Sequence, residues 1–402
     1  MRAATEAITY DRSLEKYKGS SPGAMPGARL RLAYALIPVF LALAATFNTL
    51  NNGFAFDDEW MILRNPFVHS LRNLPLVLTT NPWTSTEESS VSAFPYFRPV
   101  LAGLLVVSYR IFGATAWGYH LVNILIHVGV TLLVFIVVKE ITGRLAGAAV
   151  CSALFAVHPV HAEAVAWISG VPEPLMAIFA LPSFWFYLNY RKTGRKLSIA
   201  ASAVFFLLAL MSKETALALP LIVAYCELAW PGDSAPLKKR ILQSLALAGL
   251  YAMPAAAYFG LRYYVNGSLF LTYEPHFGWQ HTLLSMPLAA IKYLALLLLP
   301  AGYKIHHYTE PVESIESIAF IGPLLVIIAV ALAVRFARVR AISLSAAWLS
   351  LWMALPLAAI GAFLPVYFVQ ERYLYIASMG FCLAVAIGIE RLAGRGRAGR
   401  VA

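Results

Sequence analysis

Residues 119–138 read YHLVNILIHVGVTLLVFIVV, and about twenty such residues are what an α-helix needs to cross the hydrocarbon core of a bilayer. Working outward, apolar runs of 16 to 23 residues recur in both directions. Crossing helices are expected near 32–50, 119–138, 145–158, 173–190, 197–212, 214–230, 241–263, 317–334, 342–364 and 373–390. Two further apolar stretches, 97–112 and 283–300, are expected to lie at or dip into the interface, because counting them as crossings would put arginine clusters on the wrong side. Composition agrees: 60% of the 402 residues are apolar and 13% charged, where soluble domains run at roughly 45–50% and about 25%. Too little polar surface is available to cover a water-soluble globule. The fold class is therefore an all-α polytopic membrane protein.

Orientation follows from basic residues in short loops, which stay on the cytoplasmic side. With the N-terminus inside, the inner segments hold 22 of the 31 Lys and Arg residues and 7 of the 20 acids, leaving the outer segments net negative. Residues 1–31 then form a cytoplasmic tail, 32–390 the transmembrane domain, 51–118 a large first outer loop, and 391–402 a basic cytoplasmic tail. The first apolar run contains Ala42-Leu43-Ala44, which mimics a cleavage site; its long tail and its continuation past that point predict an uncleaved anchor. The basic excess lies beside helix ends, where anionic lipid headgroups are its counterions, so membrane lipids are expected partners and nucleic acid is not. Cys151, Cys226 and Cys382 each sit in an apolar run, as buried thiols do.

Unusual residues gather on the predicted outer side. Asp57-Asp58-Glu59 follows the first helix directly. Repulsion among three adjacent carboxylates, with burial beneath Trp60 and Phe56, would tune one of them toward general-base duty; a solvated acidic turn or a divalent-cation site is equally compatible with the spacing. His158-Pro159-Val160-His161-Ala162-Glu163 follows the third crossing, with Glu173 beyond it. His158 and His161 could lie near one another with Glu163 on another face, to bind a metal, a polar ligand or each other, although no third His or Cys stands at ligand spacing. Ser212-Lys213-Glu214 is a charged turn between apolar helices, where lysine costs roughly 2.5–3.5 kcal/mol to insert; Lys213 and Glu214 could offset that cost as an ion pair. Arg64, Arg72, Arg98, Arg110, Arg262, Lys292, Lys304 and Arg372 stand near helix ends, placed either to bind a lipid phosphate or to snorkel. His306 and His307 lie in a polar aromatic patch, 303–308, of a kind that suits a sugar face and also the aromatic belt of an interface. Asn266-Gly267-Ser268 is a nominal glycosylation sequon.

Six ordered motifs carry a resemblance. Phe56-Asp57-Asp58-Glu59, Phe97-Arg98-Pro99, the run from Tyr119 to His127, the run from His158 to Ala166, Ser212-Lys213-Glu214 and Glu371-Arg372-Tyr373-Leu374-Tyr375 resemble, over about residues 50–385, the membrane part of the transmembrane and tetratricopeptide-repeat O-mannosyltransferases. That family looks like a branch of the GT-C glycosyltransferases. The resemblance implies a GT-C type fold with about ten transmembrane helices plus interfacial helices in the outer loops. It implies a polyprenyl-phosphate-linked sugar donor and inverting transfer to a hydroxyl at the outer face of a bacterial inner membrane. Asp57 or Asp58 would be the general base, with Glu59 tuning it. Arg98, Lys213 and Arg372, with Arg64 nearby, would neutralise the departing phosphate. His158, His161, Glu163, Glu173, Glu214, His306 and His307 would line the sugar or acceptor pocket. No cofactor would be required, though Asp57, Asp58 and Glu59 could hold Mg2+ or Mn2+. Two departures stand out. Gly170-Val171-Pro172-Glu173 replaces the family's basic residue followed by Asp, and no helical repeats follow the membrane part, so protein, glycan and lipid acceptors all stay open. A transporter or flippase of a lipid-linked glycan, or a non-catalytic glycan-binding protein, is the alternative; the one-sided placement of the ionisable residues and the lack of repeats count against transport.

Overall fold

The computed structural model describes residues 27–81, 96–229, 236–269, 277–299, 301–304, 307–337, 339–362 and 366–398. Thirteen α-helices are named here in chain order: α1 Ala28–Thr46, α2 Pro99–Phe112, α3 Ala116–Thr142, α4 Leu145–Val157, α5 Ala162–Ala166, α6 Pro172–Thr193, α7 Lys196–Ser212, α8 Ala218–Ala229, α9 Leu237–Asn266, α10 Trp279–Leu298, α11 Ile318–Ala337, α12 Arg340–Ala358 and α13 Leu374–Ala398. Among the described residues the sole β feature is a bridge between His307 and Val369. The protein is thus an all-α, polytopic membrane protein.

Among the described residues, eight helical segments are long and apolar enough to cross, or nine if the bent pair α4–α5 forms one span. That differs from the ten crossings expected. Helices α4, α7 and α8 have 13, 17 and 12 residues, α4 and α7 ending, and α8 beginning, at an interruption of the helix. After α4, Pro159 has no N–H to continue the ladder, and the chain bends by 52°. After α7, Lys213 is extended and residues 214–217 form a 3-10 turn. Helix α2, at 14 residues, is shorter than a span, as expected for 97–112. For 283–300 the helix is longer than expected: α10 meets the length and composition of a span. It packs along α11 and α12 and also bonds to residues at the loop-bearing end of the bundle. Ser285 accepts from the Val312 amide at 2.9 Å, Lys292 donates to Thr309 at 2.7 Å, and His158 reaches the Leu297 carbonyl at 3.2 Å.

Helix α6 is the centre of the bundle and α11 its periphery, for the span holding α6 is 72% buried within the protein and that of α11 0%. Helices on the inside meet through small or hydroxylated residues, as membrane helices do. Ser183 of α6 donates to the Ser202 carbonyl of α7 at 2.6 Å, and the Ser202 hydroxyl lies 2.6 Å from the Tyr251 hydroxyl of α9. Gly380 of α13 lies so close to the Ser345 carbonyl of α12 that an added methyl group would overlap it. Glycines at left-handed φ, Gly143, Gly194 and Gly267, stop α3, α6 and α9, where a Cβ would be strained.

Helix ends that carry basic clusters are stitched to their neighbours. Lys192 pairs with Glu140, Arg144 with Glu390 at 3.0 Å, and Arg191 with Glu227 at 3.2 Å. The opposite end carries the first loop, the α4–α5 break, the α7–α8 turn and the start of α13.

Candidate active site

The acidic trio opens the first loop, and its three carboxylates have three different fates. Asp58 is buried and accepts from the Ser169 amide at 2.8 Å, the Ser169 hydroxyl at 2.5 Å and the Ala55 amide at 2.9 Å. Burial holds its pKa above the usual carboxylate range, against the lowering effect of those donors. Asp57 is exposed, close enough to the Tyr96 hydroxyl to influence it electrostatically. Glu59 pairs with Arg64 at 2.5 Å, both about half exposed, and the Arg64 guanidinium also covers the Trp60 ring. Arg64 and Glu59 are therefore partners of one another. Asp58 is thus given over to protein donors and Glu59 to arginine. Among the described residues no three His, Cys, Asp or Glu side chains are grouped for a metal.

The loop is turned at Phe56, which takes φ of 50°, a left-handed backbone uncommon for a bulky residue. Such strain persists only where surrounding contacts impose it. Here they are specific: the Trp167 indole donates to the Ala55 carbonyl at 3.2 Å, its ring meets Phe56 edge-on at 6.4 Å, and Ser169 holds Asp58. Residues 165–168 are in turn gripped by Asn123 of α3, whose amide nitrogen lies 3.2–3.5 Å from the carbonyls of Trp167, Val165 and Ile168. His120, one turn earlier, reaches the Gly53 carbonyl at 3.4 Å. Asn123 and His120 were given no role from the sequence. The signal was present: His120, Asn123 and His127 recur at three and four residues along an apolar helix and so form one polar stripe.

Beside this loop the three expected cations come together, each on a carboxylate. Arg98 donates twice to Glu214, at 2.8 and 3.1 Å, and Arg262 donates to the same carboxylate at 3.2 Å. Lys213 pairs with Glu173 at 2.5 Å. Arg372 binds Glu163 through its guanidinium at 2.5 Å and its backbone amide at 2.8 Å. The Lys213–Glu214 pair expected from their adjacency is absent: extended Lys213 sends the two side chains to different partners. Glu163, Glu173 and Glu214 thus act as counterions to the cations. Four cations face three glutamates, and two tyrosines link them. Lys213 lies 4.7 Å and Arg372 5.6 Å from the Tyr373 ring, while Arg98 covers Tyr96 at 4.5 Å. Arg372 also stands 5.3 Å from the Trp167 ring that holds the acidic loop. Burial pulls the Lys213 pKa down to about 8, with Glu173 opposing.

The histidines turn inward. His161 is buried, its Nε2 2.9 Å from the Ser378 hydroxyl and its ring packed on Phe155 and Tyr375. The His158 Nδ1 accepts from the Val160 amide while its Nε2 faces the Leu297 carbonyl, which sets the Nε2–H tautomer. Their rings are 6.0 Å apart, neighbours as the spacing predicts, with Glu163 directed away to Arg372. Both histidines hold the α4–α5 break against α10 and α13. His307 lies 2.8 Å from Glu371, and burial lowers its pKa. His306 falls outside the described residues.

No family model matches the chain, and neither does any solved structure. Curated relatives do. The chain is 29% identical over 404 residues, 95% of its length, to a protein O-mannosyl-transferase of Caenorhabditis elegans, and covers 54% of that protein. It is 34% identical over 191 residues, 48% of its length and 22% of the relative's, to protein O-mannosyl-transferase Tmtc1 of Drosophila melanogaster. For TMTC3 of Homo sapiens the figures are 31% over 160 residues, 40% and 17%. The chain therefore spans about half or less of the length of these relatives. Along nearly all of its own length it is similar to the membrane part of the transmembrane and tetratricopeptide-repeat O-mannosyltransferases.

Proposed function

We propose that this chain is a GT-C type glycosyltransferase that moves a sugar, mannose in the first instance, from a polyprenyl-phosphate carrier to an acceptor hydroxyl. The observation that carries the reading is the division of labour in the first loop: Asp58 is the anchor and Asp57 the presented carboxylate, next to a cluster of cations around Tyr96 and Tyr373. Asp57 deprotonates the acceptor hydroxyl as it attacks the anomeric carbon. The bond to the phosphate oxygen breaks on the opposite face, so configuration inverts, and the phosphate departs with the bonding pair. Charge developing there is met by Arg98, Lys213 and Arg372, since preorganised electrostatics is commonly the largest catalytic contribution. Their glutamate partners fix their positions and leave one positive charge in excess. The reaction so written needs no divalent ion, and transfer is expected to survive chelation.

The site belongs to the outer face of a bacterial inner membrane, with both termini cytoplasmic. Basic residues collect at the end of the bundle opposite the acidic loop, as short cytoplasmic loops do. The acceptor is a protein, a glycan or a lipid.

The test is to incubate the purified chain in lipid with radiolabelled polyprenyl-phosphate sugars and follow label into acceptor or water, with and without EDTA. Transfer from the mannosyl donor that Asp57→Asn abolishes supports the reading. Donors that stay intact and unbound overturn it.

A further inference from the structure

At the loop-bearing end, set apart from the tyrosine-centred cations, a cavity of about 440 Å³ opens between α10 and residues 301–304 and 307–308. Its polar lining is Lys292, Lys304, His307 and Tyr308; its apolar wall includes Leu296 and Leu299. The charge balance here differs from that of the active-site cluster. Arg98, Lys213 and Arg372 each sit on a carboxylate, whereas Lys292 donates only to neutral oxygens, the Tyr308 carbonyl at 2.9 Å and the Thr309 hydroxyl at 2.7 Å. Among the described residues neither Lys292 nor Lys304 forms an ion pair. The nearby acid, Glu371, has its Oε1 already held by the Lys304 amide at 2.6 Å and His307 at 2.8 Å. Two ammonium groups without an ion-pair partner therefore line one cavity, where an anion would accept charge-assisted hydrogen bonds from both.

The rest of the cavity says what kind of anion. Its α10 wall continues into Leu298 and Leu299, which are 58% and 65% exposed, so the mouth opens onto surface suited to hydrocarbon. The volume is within the range of about 300–1,000 Å³ typical of small-molecule sites. Two lysines match the two charges of a phosphomonoester, which carries roughly −1.5 to −2 at neutral pH, better than the single charge of a sugar phosphodiester.

We propose that this cavity binds a phosphomonoester on a lipid tail. This deepens the glycosyltransferase reading and rests on it for the ligand's role: transfer converts a lipid phosphodiester into a monoester. The cavity, whose wall includes Val369 three residues before Arg372, would hold the spent carrier.

The experiment is direct binding of farnesyl phosphate to the purified full chain in detergent, compared with its methyl diester and with inorganic phosphate. Farnesyl phosphate is expected to bind at least tenfold more tightly than either. Lys304→Gln, an exposed position that cannot unfold the bundle, is expected to weaken it about tenfold, and Lys292→Gln with Lys304→Gln about a hundredfold, one charge-assisted hydrogen bond each. A melting temperature is taken for each variant. Equal affinity for inorganic phosphate overturns the lipid ligand, equal affinity for the diester overturns the monoester, and unchanged binding in Lys304→Gln and the double variant overturns the site. Asp57→Asn is expected to keep farnesyl phosphate binding while losing sugar transfer, so failure of the cavity and failure of the enzymatic reading register separately.

Discussion

Asp57 and Asp58 are neighbours in the chain with opposite surroundings, and substitution should separate them. Asp58→Asn places an amide nitrogen or a weaker acceptor against the Ser169 amide and hydroxyl, which both donate to Oδ1. Losing such buried bonds costs about 1–3 kcal/mol, so its melting temperature should fall. Asp57→Asn changes an exposed group and should lower melting less than Asp58→Asn does, while transfer falls by roughly 10²–10⁴, the usual worth of a general base. Unchanged transfer in Asp57→Asn would remove the base from the mechanism. Lys213 sets a second test. Its folded pKa, near 8, is below that of free lysine, so as pH rises through about 8 it loses its proton and the cluster loses a cation. Transfer should decline over that window. Lys213→Arg stays charged at every accessible pH, so the alkaline decline in the rate profile should vanish in that variant. Sequence could name these residues because adjacent carboxylates and a lysine between apolar helices are conspicuous. It could not assign their partners: Lys213–Glu173 and Arg98–Glu214 join elements 40 and 116 residues apart, and pairings at that distance are set by packing.

Helix existence was legible from apolar runs; where helices stop was less so. Runs such as 214–230 look continuous because hydropathy averages over the Lys213–Leu217 interruption, yet one extended residue there sends Lys213 and Glu214 apart and makes the site. Helix α10 shows the converse. Read as interfacial because the positive-inside count disfavours a crossing at 283–300, it has the length and hydropathy of a span and packs along α11. The interlocking of α12 and α13 was not legible, because a glycine in an apolar run gives no sign of what lies opposite it. Gly380→Ala should expose that dependence. Its methyl group meets the Ser345 carbonyl and the Leu349 amide, backbone atoms that cannot swing aside. Overpacking of this kind costs about 1–3 kcal/mol. A loss of thermal stability in lipid is expected, with Gly388→Ala, where nothing lies within 4 Å, as the unaffected control.

The whole molecule has two unlike ends, and this polarity orders everything else. At one end Arg144, Arg191 and Lys192 are tied across helices to Glu390, Glu227 and Glu140. At the other lie the acidic loop, the paired cations and the lysine-lined cavity. An enzyme drawing on a lipid carrier from the far leaflet needs the second end outside, and labelling single cysteines decides this. Cys151, Cys226 and Cys382 are buried, so background reactivity should be low. Thr79 and Thr193 are exposed and stand at opposite ends, Thr79 in the first loop and Thr193 at the basic close of α6. In sealed right-side-out vesicles, Thr79→Cys should react with a membrane-impermeant maleimide at once, and Thr193→Cys only after permeabilisation. The reverse pattern would place the acidic loop in the cytoplasm, where the positive-inside rule, the lipid-phosphate donor and the outward-facing base could not all hold.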